Sequence, residues 1–143
     1  MKETYPKYYL YRRVVQAKCY IDEHYAGPLD IKAMAGEACF SPFHFLRLFK
    51  SIYGKTPHQY LTHVRMMHAR RLLAAGSSVQ DACFSVGFES VSSFTGLFKK
   101  LTGVAPSIYV TKQRLRQAAI RKAPLQFIPG CFAAAYGWKE KQF

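Results

Sequence analysis

Two stretches of this chain repeat one another and carry positive charge without any carboxylate. Ser41 to Tyr60 and Ser90 to Tyr109 align at an offset of forty-nine positions, and each contains lysine but neither aspartate nor glutamate. The aligned pairs are Phe45 with Phe94, Leu48 with Leu97, Phe49 with Phe98, Lys50 with Lys99, Gly54 with Gly103, Pro57 with Pro106 and Tyr60 with Tyr109. A purely cationic surface is suited to binding phosphates. Two copies are too few for a stacked solenoid, so we expect one supersecondary unit to occur twice within one domain.

The whole chain is strongly basic. Its 143 residues include 21 lysines and arginines against 8 aspartates and glutamates, which gives a formal net charge of +13. Such a charge implies a polyanionic partner, either nucleic acid or an acidic membrane surface. Nearly all the carboxylates lie just upstream of the two repeats, at Asp22, Glu23, Asp30, Glu37, Asp81 and Glu89.

The residues that an enzyme or a metal centre would need are not arranged for that chemistry. The chain has no G-x-S-x-G, H-E-x-x-H, G-x-G-x-x-G or phosphate-loop motif, so no catalytic residue is expected. His63 and His68 are five residues apart, which places them on different faces of a helix. We therefore predict neither a metal ion nor a cofactor.

The cysteines indicate a reducing compartment. Cys19, Cys39, Cys83 and Cys131 are widely separated and form no C-x-x-C pair. Because the first residues do not read as a signal peptide, we expect reduced, mostly buried thiols in a cytoplasmic protein. No run of eighteen apolar residues occurs, so no membrane span is predicted.

Helical spacing of apolar residues predicts an all-α fold of seven helices that position the repeats. Residues 1–13 are interpreted as an N-terminal arm that leads into a first helix ending at Tyr25. That helix is expected to bury Val14, Val15, Cys19, Ile21 and Tyr25, and the long fourth helix to pack Tyr60, Leu61, Val64, Met67, Ala69, Leu72 and Leu73. The later helices are expected at about 31–38, 42–53, 57–75, 79–86, 91–102 and from 106 to about 116 or beyond. Predicted N-caps are Asp30, Ser41, Thr56, Ser78 and Ser90.

Two pairs of short helices, each joined by a tight turn, follow the helix-turn-helix pattern. The first pair covers about 30–53 and the second about 78–102. A linker helix at about 57–75, roughly 27 Å long, separates them. Gly87 in the second turn is expected to adopt a left-handed backbone conformation.

Each second helix of a pair has a core stripe and an opposite, outward stripe. The core stripes are Phe45, Leu48, Phe49 and Ile52, and Phe94, Leu97, Phe98 and Leu101. The outward stripes are Phe43, Leu46, Arg47 and Lys50, and Ser92, Thr95, Gly96 and Lys99. If the units dock on DNA, the outward stripes enter the major groove. Phe43 and Leu46 would instead be buried if the first stripe were rotated by one position, and His44 is expected at the groove or at the edge of the core.

These features resemble the DNA-binding domain of the AraC/XylS family of bacterial transcription regulators, over about Val14 to Gln113 of a domain placed at 14–116. The resemblance is carried by Ser41-Pro42, Arg47 to Lys50, Tyr60-Leu61, Arg65, Ala69-Arg70, Leu72-Leu73, Val86 to Phe88, Phe94, Phe98-Lys99 and Gly103 to Tyr109. The second unit also has one more turn residue than the first, as in the family, since Cys39-Phe40 pairs with Gly87-Phe88 at an offset of forty-eight.

The resemblance implies a sequence-specific regulator whose two recognition helices enter successive major-groove segments on one face of double-stranded DNA. Many members activate transcription by recruiting RNA polymerase, and many carry a sensor domain ahead of the DNA-binding domain. Because only about thirteen residues precede the first helix, the chain is similar to short standalone members. We expect an activator with no small-molecule effector, acting as a monomer or weak dimer.

Residues at the matching positions are the expected contacts with DNA. In the first recognition helix the base-reading positions are Phe43, Leu46 and Arg47, and His44 and Lys50 are also expected at the DNA. In the second the matching positions are Val91, Ser92, Thr95 and Gly96, and Lys99 and Lys100 are also expected at the DNA. An arginine is common in the family where Gly96 stands. We therefore expect the first helix to supply most base readout, while Ser92, Thr95, Lys99 and Lys100 bind phosphates. The helix starts at His58-Gln59 and Ser107 are further candidate phosphate contacts.

The tail over residues 117–143 lies outside the resemblance. Its segment from Leu125 to Tyr136 is apolar and is interrupted by Pro129-Gly130. We expect it to fold back over the domain, with a dimer contact or a polymerase contact as alternatives. Two other functions stay open at this point: a basic architectural DNA-binding protein with little sequence preference, and a protein-interaction module that uses this tail.

Overall fold

Seven α-helices follow one another in the computed structural model, which describes residues 5–129. They are α1 (Tyr5–His24), α2 (Ile31–Glu37), α3 (Pro42–Tyr53), α4 (Pro57–Ala74), α5 (Val79–Ser85), α6 (Val91–Thr102) and α7 (Pro106–Lys122), followed by a short 3-10 turn at Pro124–Phe127. Over that range there is no strand, and the all-α prediction with two helix-turn-helix units is confirmed. None of these helices is both long and apolar enough to cross a membrane.

The helix starts follow local capping chemistry, as predicted. Oxygen atoms of the Asp30, Ser41, Ser78 and Ser90 side chains each accept a hydrogen bond from the backbone N–H three residues on. At the start of α4, Thr56 and Gln59 form a reciprocal capping box with distances of 3.2 and 3.0 Å. These bonds satisfy N–H groups that the first turn of a helix leaves without partners. They fix the starts of α3, α4 and α6.

The expectation of a non-helical arm is wrong from Tyr5 onward, because α1 already begins there. Pro6 lies in the first helical turn, where its missing N–H costs nothing. One turn later the Arg13 guanidinium lies 4.2 Å from the centre of the Tyr9 ring and donates to the Tyr9 hydroxyl, which supports this part of the helix. Tyr9 therefore serves as a partner of Arg13 on the surface of this helix.

Each helix-turn-helix unit has its own buried core around a pair of repeat phenylalanines. Helices α1, α2 and α3 contact α4, as do α5 and α7, whereas α6 packs on α5 and α7. The first core contains Val14, Ala17, Ile21, Met34, Ala35, Ala38, Phe45, Phe49 and Leu61. The second contains Met66, Ala69, Leu73, Ala82, Cys83, Val86, Phe94 and Phe98. The four phenylalanines are fully buried, so the predicted core stripes are correct at their centres.

Four residues predicted for the core are exposed instead. On α1 the buried face is Val14, Ala17 and Ile21, so Val15 and Cys19 turn outward, and on α4 Met66 is buried in place of Met67. Leu101 is 53% exposed because its end of α6 faces an open cleft rather than another helix. In each case the face that a helix buries is set by the neighbouring helices, which spacing along one helix does not reveal.

The two short turns share one backbone design. Cys39 and Gly87 both have positive φ angles, of 54° and 93°, and each donates its N–H to a carbonyl three residues earlier. The next residues, Phe40 and Phe88, each donate their N–H to the carbonyl of the residue five positions before them. The equivalence at an offset of forty-eight therefore holds in the fold, and the left-handed conformation predicted for Gly87 is confirmed.

The cysteines are less buried than predicted. Cys83 lies in the second core, where burial raises the pKa of its thiol, whereas Cys19 and Cys39 are exposed. Cys131 lies outside the described residues, as does most of the apolar segment from Leu125 to Tyr136. The helix α7 runs to Lys122, so the tail predicted from residue 117 begins as a continuation of that helix.

Candidate nucleic-acid interface

The outward face of α3 presents aromatic, aliphatic and cationic side chains to solvent. Phe43 is 73% exposed and Leu46 38% exposed, and His44, Arg47 and Lys50 are exposed beside them. This placement excludes the alternative in which Phe43 and Leu46 are buried. The Arg47 guanidinium lies 5.8 Å from the centre of the Phe43 ring, within range of a cation–π contact. Such a contact orients the guanidinium along the outward face.

His44 lies at the edge between this face and the core. Its ring is 5.0 Å from that of Phe40, at a tilt of 58°. Its backbone N–H is donated to the Ser41 cap at 3.4 Å. His44 therefore lies at the edge of the core and is exposed to solvent.

The outward face of α6 is smaller and more polar. Val91, Ser92, Gly96, Lys99 and Lys100 are exposed, and Thr95 is half-buried. Small side chains along the first two turns leave the backbone accessible, and two lysines lie in the last turn. This composition suits close approach to a phosphate chain more than multiple contacts with base edges.

Gly96 is a helical glycine with free space around it. A Cβ atom built there would have no neighbour within 4 Å among residues 5–129. Glycine in a helix interior is less favourable than alanine by about 0.5–1 kcal/mol. Gly96→Ala is therefore expected to raise the free energy of unfolding by about that amount, measured by urea denaturation. A loss of stability would show that this face of α6 is covered by another part of the chain.

The helix starts proposed for phosphate binding are exposed, with one difference between them. His58 and Gln59 lie in the first turn of α4, but the Gln59 side-chain oxygen already accepts the Thr56 N–H, so only its amide nitrogen remains for a ligand. Ser107 lies in the first turn of α7, which begins without a side-chain cap. The start of α7 is thus the less occupied of the two.

One cleft brings part of the predicted set together. It lies between the start of α4 and the end of α6, has a volume of about 470 Å³, and contains His58, Gln59 and Lys100. Its remaining lining residues are Lys55, Thr62, His63, Leu97 and Leu101. The residues predicted to face bases on α3 and α6 are not part of this lining.

Within residues 5–129, the lysines and arginines of the outward faces form no salt bridges. There the salt bridge joins Lys18 to Asp22 at 2.7 Å on α1, and Tyr60 donates to the same carboxylate at 2.6 Å. Hydrogen bonding of Lys18 with Asp22 and, to a lesser extent, with Tyr60 raises the pKa of Lys18. Across the described residues no group of three or more histidine, cysteine or acidic side chains is placed to hold a metal ion.

Sequence reasoning missed the role of Arg65, which it named only among the residues that carry the family resemblance. Its Nε donates to the Tyr25 carbonyl at 2.7 Å and its Nη2 to the Gly27 carbonyl at 2.8 Å. Burial lowers the pKa of Arg65. The hydrogen-bond acceptors of Arg65 are carbonyls about forty positions earlier in the chain. No local sequence pattern can predict such distant partners.

Comparison with known proteins agrees with this geometry. A family described as a helix-turn-helix domain matches residues 34–119, which is more than half of the chain. The chain belongs to the AraC/XylS family. The segment matched in this AraC-type domain runs from the middle of α2 into α7 and contains both recognition-type helices.

Solved structures share the fold of this AraC-type domain. The DNA-binding domain of AdpA, in complex with a target DNA, is 29% identical with a TM-score of 0.70, covering 73% of this chain and 96% of that one. A probable AraC family transcriptional regulator from Rhodopseudomonas palustris, at 24% identity and a TM-score of 0.66, shares the fold over 71% of this chain and 97% of its own.

Curated relatives of the AraC-type domain are longer than this chain. The MmsAB operon regulatory protein of Pseudomonas aeruginosa is 35% identical over 99 residues, which are 68% of this chain and 32% of the relative. The bifunctional transcriptional activator/DNA repair enzyme AdaA of Bacillus subtilis is 30% identical over 99 residues, 68% of this chain and 47% of the relative. The chain thus spans about a third to a half of the length of these relatives. The matched part is a DNA-binding domain of a transcription regulator.

Proposed function

We propose that this AraC-type domain binds double-stranded DNA with α3 and α6, which enter successive major-groove segments on one face of the duplex. The observation that carries the proposal is the repeated exposure of one face. On α3 and on α6 alike, the face opposite the buried phenylalanine pair is exposed and carries no acidic residue. The similarity to the AdpA domain, which was solved on a target DNA, supports this arrangement.

In this proposal the two helices have different tasks. Arg47 donates to the O6 and N7 acceptors of a guanine, and Phe43 and Leu46 contact thymine methyl groups. Ser92, Thr95, Lys99 and Lys100 hold the phosphate chain of the second segment, with Val91 and Gly96 close to the bases. Lys50, His58, Gln59 and Ser107 add phosphate contacts that set the register of the protein on the duplex.

We further propose that the bound domain activates transcription by contacting RNA polymerase, as a monomer or weak dimer and without a small-molecule effector. The name of AdaA as a transcriptional activator supports the activator sense. Transcription in vitro with purified polymerase tests it on a promoter that carries the preferred site. A rise in transcript supports activation, and a fall identifies a repressor.

Competition binding tests the DNA-reading function. The preferred duplex should outcompete random duplex DNA by at least about a thousandfold at physiological salt. Equal competition would instead favour an architectural DNA-binding protein. Gly96 supports this alternative, because it gives α6 no side chain at that position to contact bases. Absent or salt-insensitive binding would favour a protein-interaction module, since phosphate contacts make DNA affinity fall with salt.

A further inference from the structure

The turn between α1 and α2 lies directly against the turn between α5 and α6. Gly87, in the second turn, has a φ of +93°, and a Cβ atom added there would lie 2.7 Å from the Ala26 carbonyl oxygen. Real Cβ atoms do not approach backbone oxygen so closely, so this contact requires glycine. Gly87 therefore serves the contact between the two helix-turn-helix units as well as the shape of its own turn.

Arg65, halfway along α4, ties both units to this contact. Its guanidinium donates to the Tyr25 and Gly27 carbonyls in the turn that leads into the first unit, and its Cζ lies 5.8 Å from the centre of the Phe88 ring in the second. The added Cβ at Gly87 would also lie 3.1 Å from the Arg65 Nη2 atom. Hydrogen bonds from a charged donor to carbonyls are stronger than those between neutral groups.

Tyr25 completes the contact. Its side chain packs against both buried cores. Its ring stacks on that of His68 of α4, with the ring centres 4.0 Å apart and an interplanar angle of 5°. We name the set formed by Tyr25, Ala26, Gly27, Arg65 and Gly87 the Arg65 junction.

We propose that the Arg65 junction fixes the rotation of one helix-turn-helix unit relative to the other, and thereby the spacing between DNA segments that the domain accepts. The linker helix alone sets a length of roughly 27 Å, but long helices bend. A second contact away from the helix axis removes that freedom. This inference rests on the proposed function, in which both recognition helices bind one duplex. Arg65 acts here as a positioning residue that itself does not contact DNA.

Pulsed EPR on the free protein tests the junction without DNA. Spin labels are attached at Ser51→Cys in α3 and Lys100→Cys in α6, two exposed and equivalent positions. The exposed Cys19 and Cys39, together with Cys131, are replaced by serine, and the buried Cys83 is replaced by alanine. We expect one narrow distance distribution for the parent protein and a broadened or shifted one for Arg65→Ala. Arg65→Lys, which can still donate to one carbonyl, should fall between them. A distribution that stays unchanged in Arg65→Ala would overturn the inference.

Duplexes with altered spacing test the consequence for DNA. Adding or removing one base pair between the two segments should weaken binding of the parent protein by about tenfold or more, the equivalent of one good base contact. In Arg65→Ala the same change should cost less than about threefold, because the units can readjust. Arg71→Ala is the matched control, since it removes the same charge from an exposed position on the same helix and should keep the full spacing penalty.

Gly87→Ala provides a second route to the same answer if Arg65→Ala does not fold. Its added methyl group should push the two turns apart, and circular dichroism verifies that the helices persist. A spacing penalty as strong as that of the parent protein would contradict the inference. A parent protein that recognises no two-part site would instead refute the proposed function, while the EPR distances would still decide whether the junction holds the units together.

Discussion

Replacing Arg47 with alanine is expected to flatten base preference in the first DNA segment and to cost about 1–3 kcal/mol of binding free energy on the preferred duplex. The reason is the position of the guanidinium, exposed on α3 and held near the Phe43 ring. Arginine pairs with guanine through two hydrogen bonds, which other bases cannot reproduce. The measurement is the dissociation constant for the preferred duplex and for each single-base variant at one salt concentration.

Lys99→Ala is the matched comparison on α6. Lys99 is exposed at the repeat position of Lys50 and is proposed to bind phosphate. Its removal should weaken binding to all sequences alike and reduce the slope of log K against log salt by about one. If both variants lost base preference equally, the proposed division of labour between α3 and α6 would be refuted.

Phe49→Ala is expected to lower the free energy of unfolding by about 3–5 kcal/mol. Phe49 is fully buried and packs its ring against those of Phe45, Tyr53 and Tyr60, between α3 and the linker helix. Because a domain of this size is stable by only about 5–15 kcal/mol, this loss should be a substantial fraction of its total stability. Urea denaturation followed by circular dichroism measures the loss.

Phe43→Ala is the control on the same helix. Phe43 is 73% exposed, so its truncation should change stability by no more than about 0.5 kcal/mol. DNA affinity should nevertheless fall, since the ring is proposed to contact thymine methyl groups and to orient Arg47. A stability loss comparable to that of Phe49→Ala would show that the outward face of α3 is wrongly assigned.

The parts of the fold that local chemistry determines could be predicted from the sequence. The caps at Ser41 and Ser90 and the alternation of buried and exposed positions on α3 and α6 depend on residues within a few positions of one another. The offset of forty-nine between Phe45 and Phe94 then identifies two similar units. These local signals predict which faces of α3 and α6 are exposed, because each exposed face lies opposite a core stripe.

Features that depend on distant neighbours could not be predicted. Helical spacing does not determine which side of α1 contacts the other helices. The sequence therefore predicts Val15 in the core, whereas the fold buries Ala17 and exposes Val15. The exposure of Leu101 results from an open cleft that no local pattern reveals. Gly87 could be predicted as a turn residue, but its approach to Ala26, sixty-one positions earlier, is visible only in three dimensions.

Dimethyl sulfate interference on the preferred duplex tests the two-segment arrangement most directly, because methylation at guanine N7 blocks the major groove. We predict two windows of interference centred about one helical turn, 10–10.5 base pairs, apart on one face of the duplex. The window assigned to α3 should disappear in Arg47→Ala while the other persists. A single window, or interference spread around the whole circumference, would contradict the proposal that α3 and α6 bind one duplex together.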